Sequence, residues 1–154
     1  MPIDTVEQAL SARLTDDTAL WDAATGGIHY AVVPQRTAKP TVTRGIAAVP
    51  VVVVFSLQSP GADGNTLESG RSISNPLFFV RAIGEGAHFE GVRAAAERID
   101  ALLQGWRRLE DGEPRFICER ESEVQLPPDE REGGAIGYVM GGMYRFRVMP
   151  DRAS

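Results

Sequence analysis

One cysteine, two histidines and no apolar run of membrane length are the scarcities that first bound this 154-residue chain. Cys118 stands alone, so it has no partner for an internal disulfide and no second thiol for a zinc cluster. It reads as a small buried strand residue in a protein made for a reducing compartment. His29 and His88 lie far apart and offer no local metal-ligand spacing. The longest apolar run, residues 46–55, contains Pro50 and is far shorter than the roughly 20 residues a spanning helix needs. It reads as a buried strand, and no membrane partner is expected. Residues 1–7 show no basic stretch followed by an apolar core, so no secretory signal is visible and synthesis in a cytoplasm is expected. Positive charge is also scarce: 16 Lys and Arg against 21 Asp and Glu give a net charge of -5. Such a surface does not attract a polyanion as a sequence-specific DNA binder does.

Hydrophobic residues make up 43% of the chain and charged residues 24%, ordinary globular proportions that exclude disorder and allow one domain over 1–154 with a real core. Asp4 and Glu7 form a capping box, and Ile3, Val6, Leu10 and Leu14 recur at helical spacing, predicting a helix near 4–14. A second N-cap at Thr15-Asp16-Asp17 and a stop at Gly26-Gly27 predict a short helix near 16–24. Strands are expected at 28–33, 49–57, 77–83, 115–124 and 137–149, the first leading into a proline-bracketed loop. The segment 49–57 is apolar on both faces and reads as a central strand, paired antiparallel with 77–83. Phe89, Val92, Ala96, Ile99, Leu103 and Trp106 recur every three or four residues, the best-marked helical stripe in the chain. Arg107-Arg108 reads as the cationic end of that helix. On the final strand Tyr138, Met140, Tyr144, Phe146 and Val148 share a face, with Arg145 and Arg147 opposite. The expected fold is therefore α+β: an antiparallel, roughly four-stranded sheet with a long helix, and short N-terminal helices, packed mainly on one face. Long polar loops are expected near 59–75 and 125–136.

No motif carries strong chemistry. Gly84-Glu85-Gly86 sits between a strand and a helix, yet the third glycine of a dinucleotide fingerprint is replaced by Phe89, so no nucleotide cofactor is expected. Glu119, Glu121 and Glu123 alternate, which on a regular strand aims three carboxylates one way, to hold a cation, act as an acid-base pair, or face solvent or a lumen. No histidine or aromatic platform lies near them in sequence, and a solvated or lumen-facing acidic row is the simpler reading. Ser56, Ser59 and Ser72 lack a nucleophile elbow, and Cys118 lacks a nearby histidine. The chain is expected to be neither an enzyme nor a holder of metal or cofactor. Two polar loops remain as candidate contact surfaces: Asp63, Asn65, Glu68 and Arg71 in the first, and Asp129, Glu130 and Arg131 in the second.

The order of elements, from the helical N-terminus through Ile28, Pro34-Gln35 and Pro40, the central hairpin and the Phe89 to Trp106 helix to the closing Tyr144-Arg145-Phe146-Arg147-Val148 strand, resembles the tail terminator, or tail-completion, proteins of long-tailed bacteriophages. The resemblance spans Val6 to Val148. It implies a hexameric ring in the virion that caps the finished tail tube, joins it to the head-side connector and lets DNA pass through its lumen. Its partners would be further copies of itself, the tail tube protein and the connector or stopper protein. The family has no catalytic residues to carry over. A head-completion or stopper subunit of the neck uses the same assembly physics, and a small-molecule-binding domain built on the acidic strand is the alternative of a different class.

Overall fold

In the computed structural model, residues 3–30, 51–59, 62–66, 71–130 and 136–149 are described. The elements in chain order are α1 (Ile3–Thr15), α2 (Thr18–Ala23), β1 (Ile28–Tyr30), β2 (Val52–Ser59), β3 (Ala62–Thr66), β4 (Arg71–Ser74), β5 (Leu77–Glu85), a 3-10 turn (Gly86–His88), α3 (Phe89–Leu103), β6 (Arg107–Glu110), β7 (Glu113–Glu130) and β8 (Ile136–Val148). Six strands form one sheet in the order β1-β2-β5-β8-β7-β6, while β3 and β4 pair separately as a two-stranded ribbon.

This corrects the expected four-stranded antiparallel sheet. The sheet has six strands and is mixed, because β1 runs parallel to β2, with Ile28 beside Val53 and Tyr30 beside Phe55. Strand β1 has only three described residues, too few to display an alternation, and β6 has four, all exposed. Arg107 and Arg108 therefore belong to an edge strand and not to a helix end. The turn that pairs β6 with β7 is Asp111-Gly112, with φ of 52° and 78°. Two consecutive left-handed residues suit a tight hairpin, and Asp-Gly supplies them at little cost.

The helices are also shorter than the stripe suggested. Helix α3 has 15 residues, about four turns, and ends at Leu103. Its buried side is Val92, Ala95, Ile99, Leu102 and Leu103, so Ala95 replaces Ala96 in the stripe. Trp106 lies past the helix, where its ring meets Phe116 edge-on at 4.9 Å. Asp17 caps α2 by accepting from the Leu20 amide at 2.8 Å, and Arg98 of α3 clamps the same carboxylate with two bonds of 2.8 and 2.6 Å. The guanidinium of Arg98 holds the Asp17 carboxyl below its ordinary range. That clamp ties α2 to α3.

All three helices lie on one face of the sheet. Val6, Leu10, Leu14, Leu20, Val92, Ile99 and Leu103 pack with Val53, Phe55, Phe78, Val80, Phe116, Cys118, Tyr144 and Phe146 into one core. Phe146 is its hub, with Phe78, Phe116 and Trp106 arranged edge-on around it at 5.5, 5.2 and 6.1 Å. Tyr30, at the sheet's edge, donates to the buried Glu7 carboxylate of α1 and so joins sheet and helix through a satisfied polar pair. Gly84 explains the glycine before α3: a Cβ there would sit 2.6 Å from Val92 Cγ2. The glycine permits close packing of helix on strand, and phosphate binding is not needed to account for it.

Candidate assembly surfaces

The three alternating glutamates do not form one row. Glu119 stands opposite Arg145 and Arg120 opposite Tyr144, but the next pair is Ser122 with Met143, so Glu121 is the extra residue of a β-bulge. One extra residue flips the alternation. Glu119 and Glu121 stay on the face away from the helices, where Glu119 pairs with Arg147 at 3.3 Å and Glu121 with Arg145 at 2.7 Å. The Arg145 hydrogen bond holds the Glu121 carboxyl below its usual range. Glu123 falls opposite Gly142 on the helix side, within the cleft that Asp100, Arg120 and Tyr144 also line. A cation held by all three carboxylates is excluded by that geometry.

That cleft, about 480 Å³, opens where α3 runs beside β7 and β8. The Tyr144 hydroxyl donates to Asp100 Oδ1 at 3.1 Å, and Arg120 Nη1 reaches the same oxygen at 3.2 Å. Burial and the Asp100 charge push the Tyr144 phenol up, so at neutral pH it is a fixed donor and not a base. Cys118, fully buried behind it, has its thiol pushed up by burial and has little thiolate for nucleophilic work. Among the described residues no group of three or more His, Cys, Asp or Glu is placed to hold a metal ion. His29 spends its Nε2 on the Gly26 carbonyl at 3.0 Å. Chemically the cleft is a polar brace between helix and sheet.

The loop expected over 125–136 is in its first part a strand. Strand β7 continues to Glu130, with Asp129 opposite Gly137 and Glu130 opposite Ile136. Pro127 and Pro128, which cannot donate to a ladder, are taken up in a second register shift between Leu126 and Asp129. The result is a long β7–β8 arm. Beyond Ile117, where β6 stops pairing, the arm carries Leu126 and Ile136, 46% and 43% exposed. In the 59–75 segment, the β3–β4 ribbon sets Asp63 opposite Ile73, Asn65 opposite Ser72 and Thr66 opposite Arg71. Asp63, Asn65 and Arg71 thus share one ribbon, separate in sequence and pairing from the arm that bears Asp129 and Glu130. Glu68 and Arg131 lie outside the described residues.

The sheet face opposite the helices carries Arg145 and Arg147, Val52 and Val54, as the alternation in the sequence places them, and with them Arg81, which no sequence pattern singled out. The strand registers align Val52, Ile83, Val139 and Leu126 in one row across four strands, Val54, Arg81, Gly141 and Val124 in the next, and Ser56, Phe79 and Met143 beyond it. This is an apolar field with Arg81 near its middle. The guanidinium lies 4.6 Å from the Phe79 ring centroid and donates to Ser56 Oγ at 3.3 Å. Burial lowers its pKa, but a guanidinium stays charged in any accessible pH range. Arg145 and Arg147 on the same face each have a glutamate, whereas Arg81 has no ion pair among the described residues. A lone arginine inside Leu77-Phe78-Phe79-Val80-Arg81-Ala82-Ile83 was the signal available in the sequence.

No helix among the described residues is long and apolar enough to cross a membrane. No protein-family model matches the sequence, and no curated protein matches it. Among solved structures, a chain from the virion of a native gene transfer agent particle is similar, with 16% sequence identity, a TM-score of 0.48 and coverage of 90% of each chain.

Proposed function

We propose that this chain is a structural, non-catalytic subunit of a phage-like virion that assembles with copies of itself into a ring, hexameric by the family resemblance, which caps the tail tube and joins it to the head-side connector. The observation that carries the reading is the asymmetry of the sheet. One face is covered by three helices, while the other presents aligned, partly exposed apolar residues and an arginine that has no ion pair among the described residues. Apolar side chains left partly in water next to an arginine are the kind of surface that protein–protein interfaces cover. The buried Cys118 thiol is pushed up by burial, and the Tyr144 hydroxyl is spent on Asp100, so neither group favours an enzyme reading.

A terminator works by carrying two unlike ring faces. One is complementary to the last ring of the tube, and the other refuses a further tube subunit, so growth stops. Six chains of charge -5 give a ring of about -30, which lets DNA slide through a lumen without being held. The β3–β4 ribbon and the β7–β8 arm are the segments proposed to meet the tube and the connector.

The test is mass measurement of the purified full chain followed by electron microscopy with isolated tails. Rings that sit on tube ends and prevent further growth are expected. A chain that stays monomeric and never caps tubes overturns the reading.

A further inference from the structure

We infer that the apolar sheet face around Arg81 is the socket for the β6–β7 turn of a second copy of this chain, with Leu109 entering the apolar field and Asp111 reaching the Arg81 guanidinium. The inference rests on the self-assembling role proposed above and names the contact that would build the ring.

The socket asks for a particular occupant. Its apolar components, Val52, Ile83, Val139, Phe79 and Met143, call for a hydrophobic side chain. Arg81 calls for a carboxylate, because it is half-buried, stacked on Phe79, and bonded only to a neutral hydroxyl among the described residues. Arginine so placed is the residue type that dominates interface energetics, and a carboxylate is its natural bidentate partner.

The β6–β7 turn has both parts. Leu109 is 62% exposed, the most exposed large apolar side chain among the described residues. It is followed by Glu110, Asp111, Gly112 and Glu113, so an apolar knob is ringed by three carboxylates. Glu110 is held by Arg115 at 2.6 Å, which leaves Asp111, at φ 52° on the turn itself, as the projecting acid. Among the described residues Leu109 is not part of the core, and β6 is exposed throughout.

Position makes the contact one between different copies in a closed series. The turn is at the β6 edge of the sheet, whereas the socket centres on β2, β5 and β8. Each chain therefore carries two unlike patches, a knob at one edge and a socket on the face. Unlike patches generate head-to-tail contacts, and these close into rings when the rotation between neighbours permits. A two-fold dimer formed by stacking the two sockets directly would bring Arg81 toward Arg81, which like-charge repulsion opposes.

The experiment is native mass spectrometry and sedimentation of the full chain and four variants: Arg81→Glu, Asp111→Arg, the double variant carrying both, and Leu109→Lys. Each single variant is expected to weaken assembly at least about 10-fold, while the double variant, with the charges exchanged, recovers most of that loss. Circular dichroism and the urea midpoint check folding. Should Arg81→Glu fail to fold, Asp111→Arg and Leu109→Lys decide, because both side chains are exposed, one on the turn and the other on β6 beside it. Wild type assembling while these variants assemble equally well, or a folded double variant no better than its parents, overturns the contact and leaves the ring reading standing. Wild type remaining monomeric at every concentration overturns the ring reading itself.

Discussion

The two faces of one sheet carry different instructions in this molecule. Facing the helices, Phe55, Phe78, Phe116, Tyr144 and Phe146 are almost completely withdrawn from water. Facing away, Val54 and Ser56 are buried, but Phe79, Ile83, Val139 and Met143 remain only partly covered, although they are equally apolar. The strands alternate between the two sets residue by residue, so the contrast does not come from a change of composition along the chain. It comes from where the helices lie. The first face is covered by the chain's own helices, and the second, buried at some positions and only partly so at others, is the face proposed for assembly. On that proposal, stability and assembly fall to opposite sides of the same strands.

The largest effect expected is on the covered side. Phe146→Ala removes the hub of the aromatic cluster with Phe78, Phe116 and Trp106 and leaves a cavity. A loss of about 3–5 kcal/mol in urea unfolding is expected. On the other side of the sheet, Phe79→Ala removes an aromatic ring that is partly in water and lies under Arg81. At protein concentrations low enough to keep chains apart, its cost should be about 1 kcal/mol, from the smaller area withdrawn from water. Equal losses from the two truncations would erase the contrast between the faces.

The inner face was legible in the sequence because its signal repeats. Tyr138, Met140, Tyr144 and Phe146 alternate on β8, and Val92, Ile99 and Leu103 recur on α3, so errors at single positions cancel. Features set by one or two residues were not legible in the same way. The bulge at Glu121 leaves the spacing of Glu119, Glu121 and Glu123 unchanged in the sequence and still sends Glu123 to the other face. Strand β1 is recognised by its parallel partner β2, distant in sequence, and not by any alternation within Ile28-His29-Tyr30. Strand β6 had a local marker, the Asp111-Gly112 turn, but Arg107-Arg108 after an apolar helix suggested a cationic helix end more strongly. Arg81 was overlooked because the strand around it is apolar enough to be assigned without it.

A middle-sized effect sharpens the covered side further, at the helix junction. Asp17→Ala removes the N-cap of α2 and the anchor for Arg98 together. The cap alone is worth about 1 kcal/mol. Because the Asp17 carboxyl is held below its ordinary value of 3.8, the folded state binds its proton less readily than the unfolded chain. Its contribution is therefore complete above that ordinary value and is lost as pH falls through the lower, folded-state pKa. Wild type and Asp17→Ala should converge in urea stability as the medium is acidified. A gap between them that stays constant down to pH 2 would show that the carboxylate's charge contributes nothing.

The smallest expected effect tests the bulge on the uncovered side. Glu121 and Glu123 differ by two positions, yet the first meets Arg145 on the outer face and the second lies in the cleft with Asp100 and Arg120. A half-exposed ion pair is screened by solvent, so Glu121→Gln should cost no more than about 0.5 kcal/mol, and 1 M salt should remove most of that. The informative quantity is the coupling to Arg145, measured with Arg145→Gln in a double-mutant cycle. Glu121 should show a small favourable coupling that salt abolishes, and Glu123 should show none, since the sheet stands between its carboxylate and the Arg145 guanidinium. Coupling of similar size from both glutamates would mean that they share a face and that β7 has no bulge at Glu121.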